Sequence, residues 1–323
     1  MGTYIIKRLL FMIPVFFGIT LISFLVIHLA PGNPLTEQLG LNPRVSMASR
    51  VMLEKLYGLD KPILVQYLDW LKKIVSLNFG LSFTSNHEPV IIEIERTIGI
   101  TIIINSLAIL FIFILSIPLG AMAAVKQNSL FDRITTVIVF IGFAAPSFWV
   151  ALLLIIFFGI NLGVLPVGGI TSIGYNYFPW WDKLLDVARH LAMPVFVAGF
   201  GGIAGLSRYL KGNMIEAYSQ DYITTARAKG LKESVVIYRH ALKNALIPFI
   251  TILGLSVPGL IGGSVIIETI FDINGMGRLF YQSVLARDYP TIMGILVIGA
   301  VLTLLGNLIA DVAYALVDPR LRK

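Results

Sequence analysis

Asp221-Tyr-Ile-Thr-Thr-Ala-Arg-Ala-Lys-Gly230 is a charged interruption between two apolar stretches, and its reading decides the fold. It belongs to a run from Ser219 to Pro248 that carries Asp221, Arg227, Lys229, Lys232, Glu233, Arg239 and Lys243. The surrounding chain is poor in charge. Of 323 residues, 57% are hydrophobic and 13% charged, against about 25% charged in a soluble domain. That balance describes a polytopic membrane protein. The polar run is then the piece between spans that a soluble partner can hold.

Local chemistry predicts its shape. Asp221 stands where its carboxylate can cap a short helix by accepting free first-turn amides. Tyr222 to Lys229 makes about two turns, with Arg227 and Lys229 set against the negative helix end. Gly230 occupies the usual left-handed stop position. A second helix is expected from Glu233 to Ile247, ending before Pro248. Its apolar face would be Val235, Tyr238, Leu242, Ala245 and Leu246. A glycine-stopped helix lying on a membrane face can dock in a groove of a soluble subunit and carry movement into the spans. An ordinary basic loop touching only headgroups fits these residues as well.

Working outward, six stretches meet the about 20 apolar residues that a spanning helix needs. They are residues 9–29, 98–124, 134–160, 191–210, 245–267 and 291–317. Pro14, Pro118, Pro146, Pro194 and Pro258 fall inside them and read as kinks that help packing. The first stretch follows Lys7-Arg8 but is too long for a signal-peptide core and lacks a small-x-small cleavage site, so it is expected to be retained.

Orientation follows from the basic residues. With the N-terminus inside, the inner segments hold Lys7, Arg8, Lys126, Arg133, Arg208, Lys211, the bases of the 219–248 run, Arg320, Arg322 and Lys323. The inner segments sum to +9 and the outer ones to zero, Glu268 and Asp311 being counted with the spans. The overall +7 is therefore a positive-inside bias and gives no support to a nucleic-acid partner. Both termini are expected to be cytoplasmic.

Residues 30–97 form a long outer segment with amphipathic helices expected over Ser46–Tyr57 and Ile63–Val75, the second presenting Leu64, Tyr67, Leu68 and Leu71. Trp180 and Trp181 suit the outer interface. The chain has no Cys, which excludes disulfides and thiolate-ligated metals. Its four His are scattered without a metal-binding spacing.

At the opening stretch the sequence resembles a known family. Asp221 to Leu231, followed by Arg239-His-Ala-Leu-Lys-Asn-Ala-Leu-Ile-Pro248, is similar to the EAA loop of the peptide/nickel branch of binding-protein-dependent ABC importers. Thr224-Thr225-Ala226 stand where that motif has Glu-Ala-Ala, and Leu242-Lys243 where many importers have Leu-Pro. Tyr4-Ile-Ile-Lys-Arg-Leu-Leu10, Ala30-Pro-Gly-Asn-Pro34, Gly58-Leu-Asp-Lys-Pro62 and Gln66-Tyr-Leu-Asp-Trp70 resemble the B-type permease of the pair. Leu77-Asn-Phe-Gly80 is a weaker form of the family's Gly-Asp-Leu-Gly. Ser147-Phe-Trp149, Glu268-Thr-Ile-Phe271, Gly275-Met-Gly-Arg278, Arg287-Asp-Tyr-Pro290 and Asp318-Pro-Arg320 also match, with Asn274 where the family commonly has Pro.

The resemblance implies an all-α integral membrane protein with the six-span, type I importer permease (MetI-like) fold. It implies a division into 1–95, a first span plus outer segment; 96–317, the transmembrane domain with coupling helices at 213–247; and 318–323, a cytoplasmic tail. The chain would be a transport subunit, not an enzyme, in a bacterial or archaeal inner membrane. Its partners would be a second (C-type) permease chain, two ATPase subunits and an extracytoplasmic solute-binding protein. It would bind no cofactor itself: ATP and Mg would sit on the ATPases, in keeping with the absence of GxxxxGK[ST].

The resemblance also assigns ATPase coupling to Asp221, Tyr222, Thr224, Thr225, Ala226, Arg227, Ala228, Lys229, Gly230 and Leu231. Ser256, Gly259, Gly263 and Ser264 are candidates to line the pathway, although glycines there equally permit close helix packing. Peptides are the expected cargo, with nickel chelates or oligosaccharides as the family's alternatives. An ion-coupled transporter would need mid-membrane acids, and Glu268 and Asp311 both fall near span ends. An intramembrane enzyme would need a His or Asp pair that the sequence does not supply.

Overall fold

The computed structural model describes residues 2–29, 60–84 and 87–317. The helix expected over Ser46–Tyr57, the Ala30–Pro34 motif, Gly58-Leu59 and the tail 318–323 lie outside those residues. Twelve helices make up the described chain: α1 (Gly2–Leu29), α2 (Ile63–Val75), α3 (Val90–Val125), α4 (Leu130–Ala144), α5 (Ser147–Asn161), α6 (Trp180–Tyr218), α7 (Asp221–Ala228), α8 (Glu233–Ala245), α9 (Ile247–Ser256), α10 (Val265–Ile270), α11 (Met276–Leu285) and α12 (Tyr289–Val317).

Four of them, α1, α3, α6 and α12, are single helices long and apolar enough to cross a membrane. Two bent pairs, α4 with α5 and α8 with α9, pass the same test together. The third and fifth expected spans are therefore not straight helices. Between α4 and α5 the chain turns by 104°. Ala145 is extended there (φ −72°, ψ 125°), because a residue preceding proline is pushed out of the helical region. By contrast Pro14, Pro118 and Pro194 stay inside continuous helices. The fifth stretch bends by 41° at Leu246, continues through α9 into a 3-10 turn over Val257–Leu260, and then breaks.

α3 and α6 form the central packing, with glycines letting them close. A Cβ on Gly199 would fall 2.8 Å from the Phe111 ring, and one on Gly120 would fall 2.6 Å from the Ser207 carbonyl oxygen. α1 runs antiparallel to α12. Phe24 and Ile27 pack on Ile292 and Met293, while the Arg8 guanidinium lies 2.9 Å from Asp311. The outer helix forms over Ile63–Val75 as expected, but rotated. Tyr67 and Ile74 are its buried residues, while Leu64 and Leu68 are exposed. Tyr67 decides this rotation: its ring meets Phe24 at 5.4 Å and its hydroxyl lies 3.0 Å from that of Thr20. Trp180 and Trp181 stack on each other at 3.8 Å and stay exposed.

The end of the outer segment is pinned to α12. Leu81 pairs with Pro89 in one antiparallel bridge, and the hydroxyls of Ser82 and Thr84 both donate to the buried carboxylate of Asp288. Asp288 also accepts from the amide of Thr291 in the first turn of α12. One carboxylate thus caps a spanning helix and fastens a loop about 200 residues away in sequence.

Candidate coupling face and pathway

α7 spans Asp221–Ala228, close to the expected range. The cap differs. Gln220 holds the N-cap position with no side-chain bond, and Asp221 sits in the first turn, where its charge favours the positive helix end without capping it. Lys229 closes the helix. The Gly230 amide donates to the Arg227 carbonyl at 2.9 Å and the Leu231 amide to the Ala226 carbonyl at 3.4 Å, the paired bonds of a Schellman stop. Gly230 has φ +73°, and a Cβ there would meet nothing within 4 Å. Its requirement is conformational, not spatial.

The helix is held from beneath by two side chains. Ile223 and Ala226 are buried against Leu210, Met214 and Ala217 of α6 and Val236, Ala241 and Ala245 of α8, with Phe249 of α9 and Ala121 and Ala124 of α3 completing the cluster. Asp221, Tyr222, Thr224, Thr225, Arg227, Ala228, Lys229, Gly230 and Leu231 are exposed. Of the ten residues assigned to coupling, only Ala226 faces inward, so it supports the surface from below.

α8 is wound differently from expectation. Val236–Leu242 is a π-helical segment, whose wider turn repeats every five residues rather than every four. Val236 and Ala241 are consequently both fully buried, while Tyr238, expected on the apolar face, is exposed. Arg227 clasps α7 to α8 across the glycine stop. Its Nη2 donates to Glu233 Oε1 at 2.7 Å and its Nε to Oε2 at 3.3 Å. This pairing holds the Glu233 carboxyl below its ordinary range and raises Arg227 further. The guanidinium also lies 5.8 Å from the Tyr218 ring at the end of α6. Arg227 thereby touches the end of the spanning helix and the start of the helix that follows α7.

The four pathway candidates separate. Ser256 is the N-cap of the 3-10 turn and Gly259 lies within it, where a Cβ would meet nothing within 4 Å. Gly263 and Ser264 are structural. Gly263 has φ +60°, and a Cβ would fall 2.5 Å from the Gly277 nitrogen. The Ser264 hydroxyl accepts from the Ile267 amide as N-cap of α10. Sequence reasoning missed Asn105. From α3 its carboxamide donates to the carbonyls of Gly259 at 3.3 Å and Leu260 at 2.9 Å. Those carbonyls lose helical partners where the fifth stretch breaks, and irregular backbone at membrane depth needs such a donor. An Asn within an apolar run was the available signal.

Glu268 was legible as an acid at a span end, but not its work. It is 3% exposed. Its Oε1 accepts from the Thr101 hydroxyl at 3.1 Å and the Ser264 amide at 3.3 Å, and its Oε2 from the Arg278 amide at 2.8 Å. It also accepts from the Gly277 amide, so one carboxylate sits on the amino ends of both α10 and α11, where helix dipoles favour an anion. Gly275 makes the room: a Cβ there would lie 2.4 Å from the carboxyl carbon. Asp311, the other span acid, is occupied by Arg8.

Residues 116–323 match the family described as binding-protein-dependent transport system inner membrane component, and residues 1–91 match the N-terminal family of binding-protein-dependent transport system membrane components. The chain is 43% identical over 321 residues to the oligopeptide transport system permease protein AppB of Bacillus subtilis (strain 168), covering 99% of each chain. It is 37% identical over 336 residues to the dipeptide transport system permease protein DppB of Alkalihalophilus pseudofirmus, covering all of both. To the peptidoglycan transport system permease protein YejB of Agrobacterium fabrum it is 34% identical over 363 residues, covering 99% of this chain and 98% of that one.

Proposed function

Because the chain belongs to the family of inner membrane components of binding-protein-dependent transport systems, we propose that it is the B-type permease subunit of an ABC importer for di- and oligopeptides. Full-length identity to oligopeptide and dipeptide permeases supports the cargo. The bent pair α4–α5 counts as the third of six spans and α9 with the turn after it as the fifth, and the positive-inside bias sets both termini in the cytoplasm. The antiparallel pairing of α1 and α12 supports a common side for the two termini. A second permease chain completes the pathway, an extracytoplasmic binding protein delivers the peptide, and two ATPase subunits take the cytoplasmic face. ATP and Mg belong to those subunits.

The observation that carries the coupling assignment is the build of α7. A polar, exposed two-turn helix rests on buried Ile223 and Ala226, is stopped by Gly230, and is clasped to α8 by Arg227. It is rigid toward its own spans and open toward a partner. The ATPase groove receives the exposed face of Asp221, Tyr222, Thr224, Thr225, Ala228 and Lys229. Ser256, Gly259 and the carbonyls latched by Asn105 line the peptide path.

The test is copurification of the ATPase and peptide uptake by the whole transporter. Ala228→Trp, on the exposed face, is expected to release the ATPase and abolish uptake while the permease pair stays assembled. If ATPase retention and uptake both matched wild type, α7 would not be the docking element. Binding of peptides by the cognate extracytoplasmic protein tests the cargo separately. Binding of a sugar or a nickel chelate in place of peptide would overturn that part alone.

A further inference from the structure

Behind the face that carries α7, helices α3, α4 and α6 enclose a cleft of about 320 Å³ that the transport reading does not use. Its lining is partly apolar, with Leu119, Ala123, Val139 and Ile215. The same helices add cationic and hydroxylic groups, Arg208, Lys211, Thr135 and Thr136. Lys211 donates to the buried Asp132, whose second oxygen accepts from the Asn128 amide at 3.0 Å. Asp132 is thereby committed to Lys211. The guanidinium of Arg208 lies 5.2 Å from the Phe140 ring and meets no carboxylate among the described residues. The cleft therefore keeps one uncompensated cation.

Its surroundings have a direction. Arg133, Thr136 and Phe140 share one face of α4 at helical spacing, and exposed Arg133 marks the polar end. On its outward side α4 shows exposed Val137, Ile138 and Ile141. A cationic recess beside an exposed apolar helix surface suits an amphiphile with an anionic head. A partner helix, about 10 Å across, is too wide for a space of this volume, whereas small-ligand sites begin at about 300 Å³. Basic recesses between spanning helices on the cytoplasmic side hold anionic headgroups by the same electrostatics.

We infer that this cleft holds the phosphate of an anionic membrane phospholipid, with Arg208 as its charge partner and the acyl chains lying along α4. The inference rests on the membrane-spanning reading above and not on the peptide cargo. α6 runs directly from this cleft into α7, so an occupied cleft braces the helix that moves the coupling face.

The experiment uses the complete transporter, purified and reconstituted with phosphatidylcholine alone or with added phosphatidylglycerol. Native mass spectrometry reads the retained lipid. R208Q is expected to weaken phosphatidylglycerol retention about fivefold, the contribution of one base near an anionic lipid, and R208K is expected to keep most of it. Uptake should rise with phosphatidylglycerol in wild type and not in R208Q, both being equal in phosphatidylcholine. Equal retention by R208Q, or displacement of the lipid by inorganic phosphate, would overturn the assignment. If R208Q does not assemble, a photoreactive residue at Val139 decides: lipid adducts uphold the site, and adducts to another protein chain overturn it. Lipid retention is read without transport, so failure of the cargo reading leaves this result standing.

Discussion

Gly230 and Gly275 stand in two regions that look alike in sequence, each a motif glycine next to a short helix. The structure separates them. At Gly230 there is open space and a left-handed backbone; at Gly275 the backbone is extended and a carboxylate fills the place of a side chain. The α7 region is built from neighbours in sequence, with Arg227, Gly230 and Glu233 within seven residues. The Glu268 cluster joins Thr101 on α3 to the starts of α10 and α11. One region is local and exposed, the other long-range and buried. Damage to the second should therefore spread, and damage to the first should stay where it is made.

The largest effect is expected at the buried end. Glu268→Ala leaves the amides of Ser264, Gly277 and Arg278 and the Thr101 hydroxyl without their acceptor, at about 1–3 kcal/mol for each buried group left unpaired. Thermal unfolding of the detergent-solubilised permease pair should shift to markedly lower temperature, and uptake should be lost. Gly275→Ala comes next, since overpacking costs about 1–3 kcal/mol. The two should not add, because removing the carboxylate clears the space the new methyl needs. Additive losses in that cycle would break the contrast, showing Gly275 to have a requirement of its own.

How much was legible follows the same division. The helix over Ile63–Val75, the stop at Gly230 and the long apolar helices could be read because each depends on a few adjacent residues. The break at Pro146 was marked in the sequence, but nothing local distinguishes it from Pro118 or Pro194, which stay helical. The π segment of α8 shifted the buried face from Tyr238 to Val236 and Ala241. A reading at 3.6 residues per turn has no means to anticipate that shift. Asp221 was expected to cap because it is the preferred residue type; the backbone placed the cap one residue earlier, at Gln220. Two of the pathway candidates also carry structural roles that the sequence did not mark: Gly263 and Ser264 serve Glu268 and α10.

At the exposed end, Gly230→Ala tests conformation without crowding. An L-residue held left-handed costs about 1–2 kcal/mol, and no neighbour would be displaced. The permease pair should assemble with little change in melting temperature, while ATP hydrolysis continues with poorer coupling to uptake. The readout is the ratio of peptide imported to ATP hydrolysed. A large fall in melting temperature would place Gly230 with Gly275 and erase the distinction between the regions.

The smallest effect belongs to the clasp itself. Glu233 is exposed, so its pairing with Arg227 is screened by salt and worth little to overall stability. It should still govern how often the glycine stop opens. Hydrogen exchange at the Leu231 amide, compared between wild type and Glu233→Gln at matched pH, cancels the intrinsic exchange rate. Glu233 titrates below its ordinary range in the folded protein, so its contribution is present at neutral pH and is lost as pH falls through that lowered value. Exchange should be modestly faster in the variant at neutral pH, and the two proteins should converge on acidification and in high salt. Equal exchange at neutral pH and low salt would mean that the Schellman bonds alone hold α7 in place. The coupling face would then be local in the strictest sense, fixed by backbone conformation around Gly230 and by no side-chain charge.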